Sequence, residues 1–131
     1  MDSVLVIDDC PFVRKVLTSM LELKGCKVAS APNGKEGEMV LAERQVDIVI
    51  TDIFMPVQDG IETISSIRKK NPNIKVIAMS GASPDGAHIR EFQHIEPPYL
   101  RHARLLGAHY TLTKPVSSHA LAAAMEACRA N

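Results

Sequence analysis

Neither sign of charge dominates this chain. Lysine plus arginine and aspartate plus glutamate number 15 each, for a formal net charge of zero. Composition therefore gives no support to a nucleic acid or an anionic membrane surface as the partner, and neither is expected. Long apolar runs are also lacking, and none approaches the roughly 20 residues of a membrane-spanning helix. The amino-terminal MDSVLVIDD has no basic stretch ahead of its apolar run, and Asp8 and Asp9 cut that run short, so it does not read as a signal peptide. Cysteine is sparse. Cys10, Cys26 and Cys128 are an odd number with no C-x-x-C spacing, which fits reduced thiols and a cytoplasmic location. Cys26 and Cys128 are expected to be buried packing residues. His88, His94, His102, His109 and His119 show no tight metal-ligand spacing. Neither a GxxxxGK nor a GxGxxG loop is present, which argues against a nucleotide-binding loop.

What is present is an alternation of two periods. With 131 residues and 46% apolar content, the chain has the size and core of one domain, 1–131, without repeats or a linker. Val4 to Ile7 is a continuous aliphatic run, the pattern of a strand buried on both faces. It ends at Asp8-Asp9, and Pro11 stands at a first-turn helix position. Val13, Val16, Leu17, Met20 and Leu21 then form one helix face, closed by Gly25. Lys27 to Ala31 is a short second strand. A second helix is expected over 35–44, with Val40 and Leu41 turned inward, although Gly37 lowers its propensity. The third strand, Ile48 to Thr51, ends on Asp52. A helix begins near Asp59-Gly60, carries Ile61, Ile64 and Ile67, and stops at Asn71-Pro72. Ile74 to Met79 is a fourth strand, closed by Ser80-Gly81.

From Ala82 to Pro98 the pattern fails, because Pro84, Gly86, Pro97 and Pro98 break any single helix. Short helices are expected over 88–94 and 99–106. Tyr110 to Thr113 is a fifth strand, followed by Lys114-Pro115 and a last helix capped by Ser117 or Ser118. Strands alternating with helices imply right-handed crossovers. The expected fold is α/β, a five-stranded parallel sheet in the order 2-1-3-4-5 with helices on both faces.

In such a sheet all carboxyl-terminal strand tips lie along one edge, where open α/β folds place their chemistry. Strand 1 delivers Asp8 and Asp9, strand 3 Asp52, strand 4 Ser80 and strand 5 Lys114. Each alone is more often a loop start, a turn or a solvated strand end, and the convergence is what is specific. Clustered carboxylates repel unless a cation neutralises them. An all-oxygen set without His or Cys suits a hard ion, Mg²⁺ first. A carboxylate beside such an ion fits phosphoryl transfer with Asp52 as nucleophile, Lys114 as a point charge on a phosphoryl oxygen and Ser80 as a hydrogen-bond donor.

VLVIDD at 4–9, DIVITDIFMPVQDG at 47–60, KVIAMSG at 75–81 and TLTKP at 111–115 together resemble the receiver domain of two-component response regulators over nearly the whole chain. The resemblance implies that Asp52 accepts a phosphoryl group from a phosphohistidine on a histidine kinase or a phosphotransfer protein. It implies Mg²⁺ bound by Asp9, Asp52 and the backbone carbonyl of Phe54, with Asp8 acting through water. It further implies that Ser80 and Lys114 contact the phosphoryl group, and that the Lys114-Pro115 peptide is cis.

Three features depart from the family. Thr111 stands where an aromatic residue is common, and Tyr110, one place earlier, faces the other side of the strand. The stretch between Ser80 and Lys114 is longer than usual, with the surplus expected at 82–98, as a loop or as a docking element. Phe54 and Ala82 occupy positions that influence hydrolysis of the phosphoryl group, and neither side chain can orient a water.

The reading is a stand-alone receiver, monomeric or weakly dimeric on phosphorylation, that signals through protein contacts or onward phosphotransfer and is not an enzyme in its own right. The alternatives are an aspartate-nucleophile phosphatase of small molecules, which would need a second acid where Phe54 stands, and an unphosphorylated interaction module.

Overall fold

Val4, Leu5, Val6 and Ile7 are all completely buried, and the sheet is built outward from them. In the computed structural model, which describes residues 2–53, 60–80 and 107–130, they form the middle of strand β1 (Ser3–Ile7). Strand β2 (Lys27–Ala31) pairs with it on one side and β3 (Ile48–Asp52) on the other, both parallel. Strands β4 (Lys75–Ser80) and β5 (Tyr110–Thr113) complete a parallel five-stranded sheet in the order β2-β1-β3-β4-β5. This is the expected topology. Strand ends moved by about one residue, as hydrogen-bond boundaries do: Asp52 and Ser80 are the last residues of their strands rather than the first beyond them.

Alternation along the strands sorts the core into two layers. On one face, Leu5, Ile7, Val49, Val76 and Ala78 meet helix α2 (Gly34–Glu43) through Val40 and Leu41, and helix α3 (Gly60–Lys70) through Ile61, Ile64 and Ile67. On the other, Val4, Val6, Ile48, Ile50, Ile77, Met79 and Leu112 meet helix α1 (Pro11–Leu23) through Leu17 and Leu21. The last helix, α4 (Ser118–Ala130), covers the same face through Leu121, Ala124, Met125 and Cys128. Each fully buried Leu or Ile in these layers contributes about 1.5–3 kcal/mol of transfer free energy.

The helix ends follow local chemistry. Pro11 opens α1, where no intrahelical N–H partner is needed, and the chain turns out at Gly25 with φ 86°. Asn33 caps α2, its Oδ1 accepting from Glu36 N at 2.9 Å. Ser117 is the cap of α4, accepting from Ala120 N at 3.0 Å. Gly37, unfavourable for α2 by propensity, is buried against β1, and a Cβ there would run into the Ile7 side chain. The close seating of α2 on the sheet thus requires the residue that weakens the helix. Cys26 and Cys128 are buried as expected, and burial raises both thiol pKa values. The helices expected over 88–94 and 99–106, and the long segment 82–98, lie outside the described residues.

At the start of β5, His109 joins β5 to β4. Its backbone N–H donates to Val76 O at 2.7 Å, and its ring Nδ1 accepts from Val76 N at 3.0 Å. Nδ1 can accept only while unprotonated. Burial, then the charges of Arg68 and Lys75, hold the His109 pKa below its ordinary 6.5. The folded state therefore binds fewer protons than the unfolded state as pH falls through this range. Stability contributed above pH 6.5 is lost as pH drops below it toward the folded pKa. The urea midpoint should decline with acidification over that window, and His109→Gln should flatten the decline. An equally steep decline in the variant would assign it to other groups.

Candidate functional site

The carboxyl-terminal tips of β1, β3, β4 and β5 meet as the topology requires. Asp8 follows β1 directly, is completely buried, and donates its N–H to Ala31 O at 3.1 Å. Asp52 ends β3 and is 4% exposed, while Asp9 is exposed at the rim. Carboxylate oxygens of Asp8, Asp9 and Asp52 all lie within 4.8 Å of one another. Ser80 is completely buried at the end of β4, and its carbonyl accepts from Lys114 N at 2.7 Å, which ties the lysine backbone to the strand tip. The Lys114-Pro115 peptide is cis.

Lys114 supplies the counter-charge. Its Nζ lies 2.6 Å from Asp8 Oδ2 and hydrogen-bonds Asp52 Oδ2 at 3.2 Å. Burial acts to lower its pKa, but the close pairing with Asp8 and the charge of Asp52 outweigh it. The ammonium is held above the ordinary lysine value of 10.5. Because the folded pKa is raised, this pairing stabilises fully below about pH 10.5 and is lost only as pH rises through the folded value.

Lys114 Nζ meets Asp8 Oδ2 as an ion pair. Among the described residues this buried oxygen has no hydrogen-bonded partner. Asp8 Oδ1, by contrast, accepts from Cys10 N at 2.9 Å. Three converging carboxylates that supply only oxygen donors fit a hard divalent cation such as Mg²⁺. Phe54, whose carbonyl was implied as a further ligand, lies outside the described residues, as does Ala82.

Thr111 pairs with Ala78 and faces the α2–α3 side of the sheet. Tyr110 packs with Leu112 on the α1–α4 side, so the two are on opposite faces as the strand period requires. The sequence did not single out Arg14, whose guanidinium donates to the Asp8 backbone carbonyl at 2.7 Å. A cation in the first turns of a helix opposes the macrodipole, and that was the available signal.

The chain belongs to the response regulator receiver domain family, whose model matches residues 4–126. This is a family of two-component systems, whose receiver domains work with histidine kinases or phosphotransfer proteins. The chain is 43% identical over 81 residues to the probable C4-dicarboxylate response regulator DctR of Bacillus subtilis (strain 168), covering 60% of this chain and 36% of that protein. It is 41% identical over 78 residues to chemotaxis protein CheY of Thermotoga maritima, covering 59% and 65%. The solved structure of response regulator protein TrrA from Thermotoga maritima, in complex with Mg²⁺-BeF, superposes with a TM-score of 0.76 at 26% identity, covering 98% of this chain and 99% of that one. The chain thus spans little more than a third of the length of DctR, and 25% of a protein-glutamate methylesterase relative. Among the described residues no helix is long and apolar enough to cross a membrane.

Proposed function

We propose that Asp52 is the phosphoacceptor of a phosphorylation-dependent switch, fed by the phosphohistidine of a histidine kinase or phosphotransfer protein. The observation that carries this reading is the convergence of Asp8, Asp9, Asp52 and Lys114 at one sheet edge, with Asp52 buried and paired with the Lys114 ammonium. A carboxylate oxygen of Asp52 forms the new P–O bond as the P–N bond of phosphohistidine breaks, and the electron pair leaves with the imidazole nitrogen. Asp8, Asp9, Asp52 and the Phe54 carbonyl would hold Mg²⁺. When bound, the ion supplies neutralisation of the phosphoryl oxygens. Lys114 gives up its contact with Asp52 and takes a phosphoryl oxygen, and the Ser80 hydroxyl donates to another.

We read residues 1–131 as one receiver domain, cytoplasmic, and its output as a protein contact or onward phosphotransfer. The reaction is a self-catalysed modification rather than turnover of a small substrate. A small-molecule phosphatase is disfavoured because Phe54 stands where such enzymes place a second acid. The chemistry is tested by incubation with a small-molecule phosphodonor such as acetyl phosphate, with Mg²⁺ or with excess chelator. Gain of one phosphoryl group, labile to hydroxylamine and dependent on Mg²⁺, is the expected outcome. No gain, or gain of a hydroxylamine-stable group, would contradict it.

Phe54 and Ala82 offer no polar group to orient an attacking water, so the acyl phosphate should be long-lived. Phe54→Asn combined with Ala82→Glu is expected to shorten the half-life measured after removal of the donor. An unchanged half-life would show that these positions do not set it.

A further inference from the structure

We infer that Arg14 is a positioning residue for the acidic pocket, acting on the peptide that joins Asp8 to Asp9. This rests on the reading of that pocket as a Mg²⁺ site. The guanidinium donates to the Asp8 carbonyl at 2.7 Å, and that carbonyl belongs to the peptide unit whose N–H is Asp9's. Fixing this plane fixes the direction in which Asp9 leaves the strand. A second bond, from Cys10 N to Asp8 Oδ1 at 2.9 Å, fixes the Asp8 side chain. A third, Arg14 N to Cys10 O at 3.1 Å, ties the same turn to the first turn of α1. Three bonds from residues 10 and 14 thus lock residues 8–10, where two of the three converging carboxylates originate.

The placement has a cost that points to purpose. Arg14 is the fourth residue of α1, at the positive end of the helix dipole, and no acidic residue lies in that helix's first turn to offset it. Its charge also faces a site that would receive a cation. A purely electrostatic role would therefore make Arg14 oppose Mg²⁺. The positioning role makes it favour Mg²⁺, because a carboxylate pair already aimed loses less freedom on binding. The two roles predict opposite signs for the same substitution.

The test titrates Mg²⁺ into the full chain without phosphodonor, by calorimetry and by backbone NMR shifts of residues 8–10 and 52. Wild type, Arg14→Met and Arg14→Lys are compared, each first shown to be folded by circular dichroism and its urea midpoint. Arg14→Met should bind Mg²⁺ about tenfold more weakly. Arg14→Lys, which keeps one donor and the charge, should recover part of the loss. The Mg²⁺ concentration for half-maximal phosphorylation should rise in step, so that added Mg²⁺ makes up the lost rate. Equal or tighter binding in Arg14→Met would overturn the inference. So would an Arg14→Met that binds normally but has lost only stability. Absence of Mg²⁺ binding in the wild type would instead overturn the reading of the pocket on which it rests.

Discussion

Lys114→Met is expected to destabilise the Mg²⁺-free protein by about 3 kcal/mol, the size usually seen when one partner of a buried ion pair is removed. Lys114 is 19% exposed, while the Asp8 and Asp52 side chains it joins are 0% and 6% exposed, so solvent screens the pair little. Without it, among the described residues the buried Asp8 carboxylate keeps the Cys10 N–H, and the repulsion between Asp8 and Asp52 loses the ammonium that offsets it. Two consequences separate this account from simple loss of packing. Mg²⁺ should restore stability to the variant by more than it adds to the wild type, since the ion would replace the missing charge. Phosphorylation by a small donor should still slow by about a hundredfold even at saturating Mg²⁺, because a charge aimed at the transferring group has been removed. Urea unfolding with and without Mg²⁺, with phosphorylation followed by mass, gives both values. A variant of unchanged stability that phosphorylates at the wild-type rate would remove Lys114 from the site.

Gly60→Ala is expected to cost about 3 kcal/mol, near the upper end for overpacking, and to lower the melting temperature by roughly 10 °C. Gly60 opens α3 and donates its N–H to Ile53 O at 3.0 Å. A Cβ there would meet the carbonyl oxygen of Asp52 and the Cα of Ile53. Both obstacles are backbone, and β3 cannot shift without losing its ladder to β1 and β4. Strain would reach Asp52, the proposed phosphoacceptor, so phosphorylation should slow as well as stability fall. Gly37→Ala presses instead on the Ile7 side chain, whose far end can give, and should cost less. Thermal unfolding of the two variants side by side decides this. Equal losses would mean that the approach of α3 to Asp52 is not special.

Much of this was legible in the sequence. The aliphatic runs at Val4–Ile7 and Ile48–Ile50 suit strands buried on both faces, and in a parallel sheet their tips bring Asp8, Asp9 and Asp52 to one edge. Lys114 followed from the same topology. What the sequence hid were contacts that depend on distances between elements. Gly37 read as a weakness in a helix, because its reason lies in Ile7, thirty positions away. Arg14 was not singled out, because its partner is a backbone carbonyl, and its place against the dipole of α1 was the one sign of it in the sequence. His109 read as one of five unpatterned histidines, because its acceptor role is set by the N–H of Val76 on the neighbouring strand.

The central claim is that Asp52 is the residue that receives the phosphoryl group. Its most direct test is intact-mass and peptide-level measurement of the wild type and Asp52→Asn after exposure to phosphodonor and Mg²⁺. The wild type should gain a single phosphoryl group on the peptide that contains Asp52, and Asp52→Asn should gain none. An Asp52→Asn protein that takes up the group as fast as the wild type, or a wild type modified elsewhere, would contradict the account.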